Sequence, residues 1–264
     1  MKSLAFVTGI AVLSWPVASI QGQEKNHLIS HGEYSMVGIT DANGNKKDAK
    51  LDEWRMYANE DGSYSVEIAG AAQAPAMKEN YVYSADLKPK SFSLVLSSGN
   101  NPTSSDSITI SCDFGPEKIT CRTVANGVTA SAMLAEKMPY VFMPTAEAAS
   151  LDLPWFFQTT ASQAGRTAGQ RSAMALITIE DGDTANSTIL KVQENEQVEY
   201  LGRENIAVVG QTVLANKFRI RETGSTAPED LWLSDSGLLL RLSQQGNPSL
   251  VLTSYEGPRL GEQH

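Results

Sequence analysis

The chain has 264 residues and a formal net charge of −9, with 41% hydrophobic and 19% charged residues. This length accommodates one large β domain or two small ones. The acidic balance argues against binding to nucleic acid or to anionic lipid surfaces, because both recruit Lys and Arg.

The first residues have the pattern of a cleaved secretory signal peptide. Lys2 gives a positive start, an apolar run covers residues 4–13, and small residues follow Pro16. The run is too short to span ~30 Å of hydrocarbon, so we expect cleavage near Ser19 rather than a membrane anchor. The sequence therefore predicts a periplasmic or secreted protein with no membrane span in the mature chain.

The remaining chain divides into three predicted parts. Residues 20–31 are polar and are interpreted as a flexible lead, residues 32–256 as a single β-rich domain, and residues 257–264 as a tail. Neither a linker nor an internal repeat divides the central part.

Residues 32–133 are predicted to form short antiparallel strands joined by turns, and residues 139–170 a central loop region. Trp54 and Met56 alternate with polar neighbours, as do Val66 and Ile68 after the turn at residues 59–62. This period of two is typical of strands with one buried face.

The two cysteines lie in a predicted hairpin. If Pro116 and the residue after it form the turn, Cys112 faces Cys121 directly across the two strands. A disulfide between directly opposed residues fits a non-hydrogen-bonded pair, and disulfides are common in exported proteins. The spacing is not Cys-x-x-Cys, so a structural disulfide is favoured over redox catalysis.

One amphipathic helix is predicted over residues 152–164. Asp152 is suited to the N-cap and Gly165 to the C-terminal end, and apolar residues recur between them at helical spacing. Its aromatic side chains, Trp155, Phe156 and Phe157, are expected to pack on the sheet.

The C-terminal part, residues 198–255, is predicted as a further antiparallel meander. Residues 217–221 alternate basic and apolar side chains, and two leucine-rich segments flank the turn at residues 234–237. The basic side is interpreted as the wet face of a strand, with a carboxylate- or phosphate-binding stripe as the alternative. The predicted fold class is mostly β: a curled antiparallel sheet or half-open β-barrel meander with one main amphipathic helix.

The sequence lacks the residue patterns that several kinds of catalysis and metal binding require. The histidines are His27, His31 and the C-terminal His264, all outside the predicted strands, which argues against a His-based triad. The spacing of His27 and His31 suits one helix face, but neither a Cys nor a third His lies near them. We expect no catalytic residue, no bound metal and no cofactor. Paired carboxylates stay open, because Asp and Glu are plentiful.

The remaining candidate is an apolar pocket between the helix and the curved sheet. Its predicted lining is aromatic: Trp54, Trp155, Phe156 and Trp232. The alternative is that these side chains belong to an ordinary packed core.

The order of features from about Tyr81 onward resembles a bacterial exported family of unknown function. The resemblance rests on residues 87–92, the paired Cys112 and Cys121, the Trp155 region, and residues 200–204, 217–220 and 231–241. That family is similar in architecture to the open β-barrel of periplasmic lipoprotein carriers. The resemblance implies a fold and a compartment, and it implies no catalytic residues.

Three hypotheses of function follow. The first is an exported envelope protein that binds an apolar small molecule or lipid in its curved sheet. The second is a structural or protein-interaction module with an envelope protein as its partner. The third is a carboxylate-based hydrolase, which requires two acidic groups that converge in a cleft.

Overall fold

The computed structural model describes residues 26–40, 43–70, 76–86, 88–97, 107–116, 118–125, 128–134, 140–143, 167–181, 188–221, 227–244 and 249–260. These residues form fifteen strands in one sheet. The strands are β1 His27–Thr40, β2 Lys46–Ala58, β3 Tyr64–Gly70, β4 Ala76–Tyr83, β5 Pro89–Ser97, β6 Ser107–Phe114, β7 Ile119–Ala125, β8 Val128–Leu134, β9 Tyr140–Met143, β10 Arg171–Asp181, β11 Thr188–Val208, β12 Gln211–Arg221, β13 Glu229–Leu233, β14 Leu239–Gln244 and β15 Ser249–Glu256.

The strand order is almost a simple meander. From β1 to β8, and again from β9 to β15, each strand pairs with the next strand along the chain. The two halves are joined where β1 pairs with β15, which places the first and last strands side by side in the middle of the sheet. Strands β8 and β9 lie at its two ends.

One pairing departs from the predicted antiparallel meander. Strand β9 runs parallel to β10, with Tyr140 opposite Ala175 and Met143 opposite Thr178. Parallel neighbours need a long crossover connection, whereas a hairpin joins antiparallel strands. The predicted helix over residues 152–164 falls between these strands and lies outside the described residues, as does the signal-peptide segment.

The sheet curls so that its ends approach each other. Strand β11 contacts β8 and β7, which belong to the other end of the strand order. Within the described residues β8 does not pair with β9, so the sheet is curled but not closed. The structure therefore confirms the predicted fold class as mostly β, with a curled antiparallel sheet.

Two predicted boundaries need correction. The flexible lead was expected to extend to residue 31, but β1 begins at His27, and His31 contacts Glu256 on β15 at 3.1 Å. The tail was expected to begin at residue 257, yet Leu260 is buried against the core. The start of β1 pairs through its backbone, so its polar composition did not reveal the strand.

Alternation along the strands gives the sheet an inner and an outer face. Directly paired residues share a face, so one row of inward positions runs across five neighbouring strands from β2 to β6. Apolar side chains dominate the inner face and are almost wholly buried. They include Val66, Ile68, Phe92, Leu94, Val198, Phe218, Leu231, Leu233, Leu250 and Leu252.

Candidate functional site

The inner face carries a group of polar side chains among its aliphatic and aromatic ones. We call it the inward polar cluster: Tyr34, Asp52, Trp54, Glu79, Tyr81 and Tyr255. All but Tyr255 are buried, and Tyr255 is partly buried. Its members lie on β15, β1, β2 and β4, so the cluster lies where the two halves of the sheet meet.

Strand register places the first three members together. Asp52 and Trp54 are two residues apart on β2 and therefore share a face. Tyr34 lies directly opposite Asp52, and Gly32 lies directly opposite Trp54. The Tyr34 hydroxyl donates a hydrogen bond to the Leu239 carbonyl oxygen at 2.7 Å, which ties β1 to the start of β14.

Gly32 makes room for the Trp54 indole. A Cβ at this position would lie 2.7 Å from the Ser254 carbonyl oxygen and 3.0 Å from Trp54 Nε1. Any other residue would force the strand or the indole to move. The indole also lies beside the Tyr255 ring, with 6.2 Å between ring centroids.

Glu79 and Tyr81 form the other side of the cluster. Glu79 lies in the same cross-strand row as Trp54, with Ile68 between them. Its side chain is fully buried, and its Oε2 accepts a hydrogen bond from the Tyr81 hydroxyl at 3.0 Å. In the neighbouring row, Asp52 lies directly opposite Gly70.

Asp52 and Trp54 are buried polar side chains that lack partners. Each is 1% exposed. Within the described part of the chain, neither carboxyl oxygen of Asp52 has a hydrogen-bond partner. The Trp54 Nε1 lacks a partner among those residues as well. Natural proteins leave few buried polar atoms in this state, because each one costs roughly 1–3 kcal/mol.

Burial changes the acidity of this cluster. Desolvation, with a further contribution from the negative charge of Glu79, raises the pKa of Asp52 to about 8. Burial and the Asp52 charge also raise the pKa of Tyr34 well above its usual value. Asp52 is therefore protonated and neutral near pH 7, although a carboxyl group in water would be ionised.

Trp232 does not lie with Trp54. It pairs with Arg241, which pairs with Val251, and Val251 pairs with Ser35 on the outward side of β1. Trp54 shares the inward side with the neighbouring residue Tyr34, so the two indoles lie on opposite faces of the sheet. The other two residues of the predicted aromatic pocket, Trp155 and Phe156, lie outside the described residues.

On the outer face, Trp232 is covered by charged side chains. Lys217 Nζ lies 4.6 Å and Arg241 Cζ 5.2 Å from the ring centroid. The indole Nε1 donates to Glu204 Oε2 at 3.2 Å, and Lys217 pairs with the same oxygen at 3.0 Å. This indole is therefore packed and hydrogen-bonded, unlike that of Trp54.

The basic alternation of β12 belongs to the same outer network. Arg219 makes a two-pronged pair with Asp230, at 2.7 Å and 2.9 Å. Together with the Lys217–Glu204 pair, this neutralises two of the three basic residues on that side. The geometry favours the interpretation as a wet strand face over a binding stripe for phosphates or carboxylates.

The predicted disulfide is confirmed. Cys112 and Cys121 lie directly opposite each other on β6 and β7, with 4.1 Å between their Cα atoms. Both are buried on the inner face, in the row that contains Tyr81 and Phe92. The bond holds one end of the inner wall in register.

Sequence reasoning missed the carboxyl groups of the cluster. The strand around Trp54 and Met56 was correctly interpreted as having one apolar side, and Asp52 has the same parity. A carboxylate at an inward position of an alternating strand was the available signal. Glu79 gave the same signal two residues before Tyr81.

Two further searches of the described residues bear on this site. They contain no group of three or more His, Cys, Asp or Glu side chains arranged to hold a metal ion. Among those same residues, no helix has both the length and the apolar character needed to cross a membrane.

The fold and the cluster together define a curled antiparallel β-sheet protein with buried carboxyl groups on its inner face. No model of a known protein family matches the chain, and no curated protein matches it. Among solved structures, it is similar to a crystal structure described as a β-barrel-like protein of the domain of unknown function DUF1849 from Brucella abortus. The likeness covers 89% of this chain and 100% of that chain, at 9% sequence identity and a TM-score of 0.47. At this level it carries no inference about family or function.

Proposed function

We propose that this chain is an exported binding protein of the bacterial envelope that holds an amphiphilic molecule against the inner face of its curled sheet. The apolar part of the ligand packs on the aliphatic and aromatic wall, and its polar end lies at the inward polar cluster. Nothing in this role requires a catalytic residue, a metal or a cofactor.

One observation carries the proposal: Asp52 and Trp54 present unpartnered polar atoms to the interior. A fold that needed only a packed core would place apolar side chains at both positions, because unpaired buried groups are costly. A bound molecule with a polar end offsets that cost, and the apolar neighbours suit the rest of such a molecule.

Two features support export. The first residues have the signal-peptide pattern, and the Cys112–Cys121 bond is of a kind that persists in oxidising compartments. The resemblance to open-barrel carriers of the periplasm points the same way. Fractionation tests this part: the full chain should reach the envelope, and a chain lacking residues 2–19 should stay in the cytoplasm.

The buried acid pair raises the question of carboxylate-based hydrolysis. Asp52 and Glu79 are close enough to interact electrostatically, as such chemistry requires. However, the unpartnered group beside Asp52 on the same face of β2 is the Trp54 Nε1, which can orient a ligand by donating a hydrogen bond but does not act as an acid or base. This combination favours a binding role over turnover.

The binding role is tested by native mass spectrometry of the mature protein purified from its own envelope fraction, followed by organic extraction. We expect a co-purifying amphiphile. A bare mass, together with no binding of any long-chain probe by the stripped protein, would overturn the proposal and favour a protein-interaction module.

A quenching experiment locates the ligand with a matched pair of variants. A brominated long-chain alcohol should quench tryptophan fluorescence in the mature protein. Trp54→Phe should reduce that quenching, whereas Trp232→Phe should leave it, because the second indole lies on the outer face. Equal quenching losses in both variants would contradict an inner-face site.

A further inference from the structure

The unpartnered atoms of the inward polar cluster are of opposite hydrogen-bonding types. Once ionised, the carboxyl of Asp52 only accepts hydrogen bonds, whereas the Trp54 Nε1 only donates. They are not paired with each other, although both project from the same face of β2. A group that matches the ionised form therefore offers a donor to Asp52 and an acceptor to Trp54 at neighbouring atoms.

The surroundings favour a donor that carries positive charge. Asp52 has a second carboxyl group, Glu79, as its electrostatic neighbour. The other titratable members of the cluster are the phenols Tyr34, Tyr81 and Tyr255, and none of its members is basic. A phosphate or carboxylate placed here would meet two acids, whereas a cation is attracted to both acids and to the aromatic rings.

We propose that the inward polar cluster is a subsite for the ammonium group of an amphiphile that carries an oxygen atom next to its amine. The ammonium group donates to Asp52, and the adjacent hydroxyl or carbonyl oxygen accepts from Trp54 Nε1. This assignment rests on the proposed binding function and deepens it by naming the class of polar group.

Binding of such a group moves one proton. Near neutral pH the free protein holds Asp52 protonated. When a ligand ammonium enters, the Asp52 carboxyl loses its proton to the buffer and forms an ion pair. No covalent bond is made or broken, and the released proton balances the charge.

The test uses the stripped mature protein and long-chain probes that share one tail: dodecylamine, dodecanol, dodecanoate and a vicinal aminododecanol, all below their micelle concentrations. Titration calorimetry in buffers of different ionisation enthalpy gives both affinity and proton release. We expect the amine to bind about tenfold more tightly than the alcohol, the amino alcohol more tightly still, and about one proton to be released.

Two variants separate the contributions of the cluster. Asp52→Asn should abolish the proton release and bring the amine down to the affinity of the alcohol. Trp54→Phe should remove the advantage of the amino alcohol over the plain amine and leave proton release intact. Asp113→Asn, an exposed acid on β6, is the matched charge control and should bind like the unaltered protein.

The outcomes distinguish the two levels of the proposal. If the alcohol or dodecanoate binds as tightly as the amine and Asp52→Asn changes nothing, the ammonium subsite is overturned while the apolar binding function stands. If none of the four probes binds, the binding function fails, and the subsite fails with it. If Asp113→Asn removes the preference for the amine as fully as Asp52→Asn does, the preference is a general attraction of cations to an acidic protein. That result would also overturn the subsite.

Discussion

The substitution Asp52→Asn should stabilise the protein in a way that depends on pH. In the folded chain the pKa of Asp52 is about 8, whereas an unfolded aspartate has a pKa of about 3.9. Between those values the folded state holds a proton that the unfolded state releases. Stability contributed by this group is therefore full below about pH 4 and is lost progressively as the pH rises toward 8.

The magnitude follows from the same two pKa values. Each pH unit in this window removes about 1.4 kcal/mol of unfolding free energy. At pH 7 the unfolding free energy is therefore about 4 kcal/mol lower than it is below pH 4, because the folded chain must keep Asp52 protonated. This is a large share of the total stability of a typical domain. Asparagine is similar in size and does not ionise, so the variant escapes this cost but keeps a buried polar group.

The assay is urea unfolding of both proteins at several pH values from about 4.5 to about 7.5. The quantity to compare is the difference in unfolding free energy, because contributions from other groups largely cancel in it. We expect this difference to increase with pH at close to 1.4 kcal/mol per unit. Asp113→Asn should show a small and flat difference, since its side chain is exposed.

A flat difference for Asp52→Asn would refute the reasoning. It would mean that Asp52 is ionised in the folded protein, and hence that a donor satisfies it. A variant that is less stable at every pH would point to the same conclusion, because removing a paired carboxylate leaves its donor unpaired.

Three further perturbations test the inner wall. Replacing Cys112 and Cys121 together by Ala should lower the unfolding free energy in urea by roughly 2–3 kcal/mol, and a reducing agent should bring the parent protein to about the same level. Gly32→Ala should lower the unfolding free energy by roughly 1–3 kcal/mol, because its Cβ would clash with the backbone and the indole. Gly70→Ala, whose Cβ meets its nearest neighbour at 3.9 Å, should be near neutral. Equal effects of the two substitutions would contradict the close approach at Gly32. Tyr34→Phe should cost about 1 kcal/mol by thermal unfolding, since a buried carbonyl loses its donor, and an unchanged melting temperature would argue against that hydrogen bond.

Local patterns predicted much of the fold. Alternation at residues such as Val66 and Ile68 identified strands, because a half-buried strand requires a period of two. The hairpin turn fixed the partner of Cys112, because register within a tight hairpin depends only on nearby residues. Both predictions rest on interactions between neighbours in sequence.

The features that sequence reasoning missed depend on distant pairings. The run at residues 231–233 is apolar at every position, so only pairing with β12 and β14 decides that Trp232 faces outward. The pairing of β1 with β15 and the parallel pair of β9 with β10 join segments whose contact no local pattern encodes. The buried acids were visible by parity, but a carboxylate on a strand is usually solvated.

The join between β1 and β15 also determines when the sheet can be completed. Within each half, every strand pairs with its neighbour along the chain, but Tyr34 and its neighbours meet Leu252 only after nearly the whole chain is present. Closing such a distant pair is entropically slow. Until then, the inward face of β1 and the acids beside it lie at an open edge. A chain truncated before β15 would thus keep two half-sheets with unpaired edges, which are templates for aggregation.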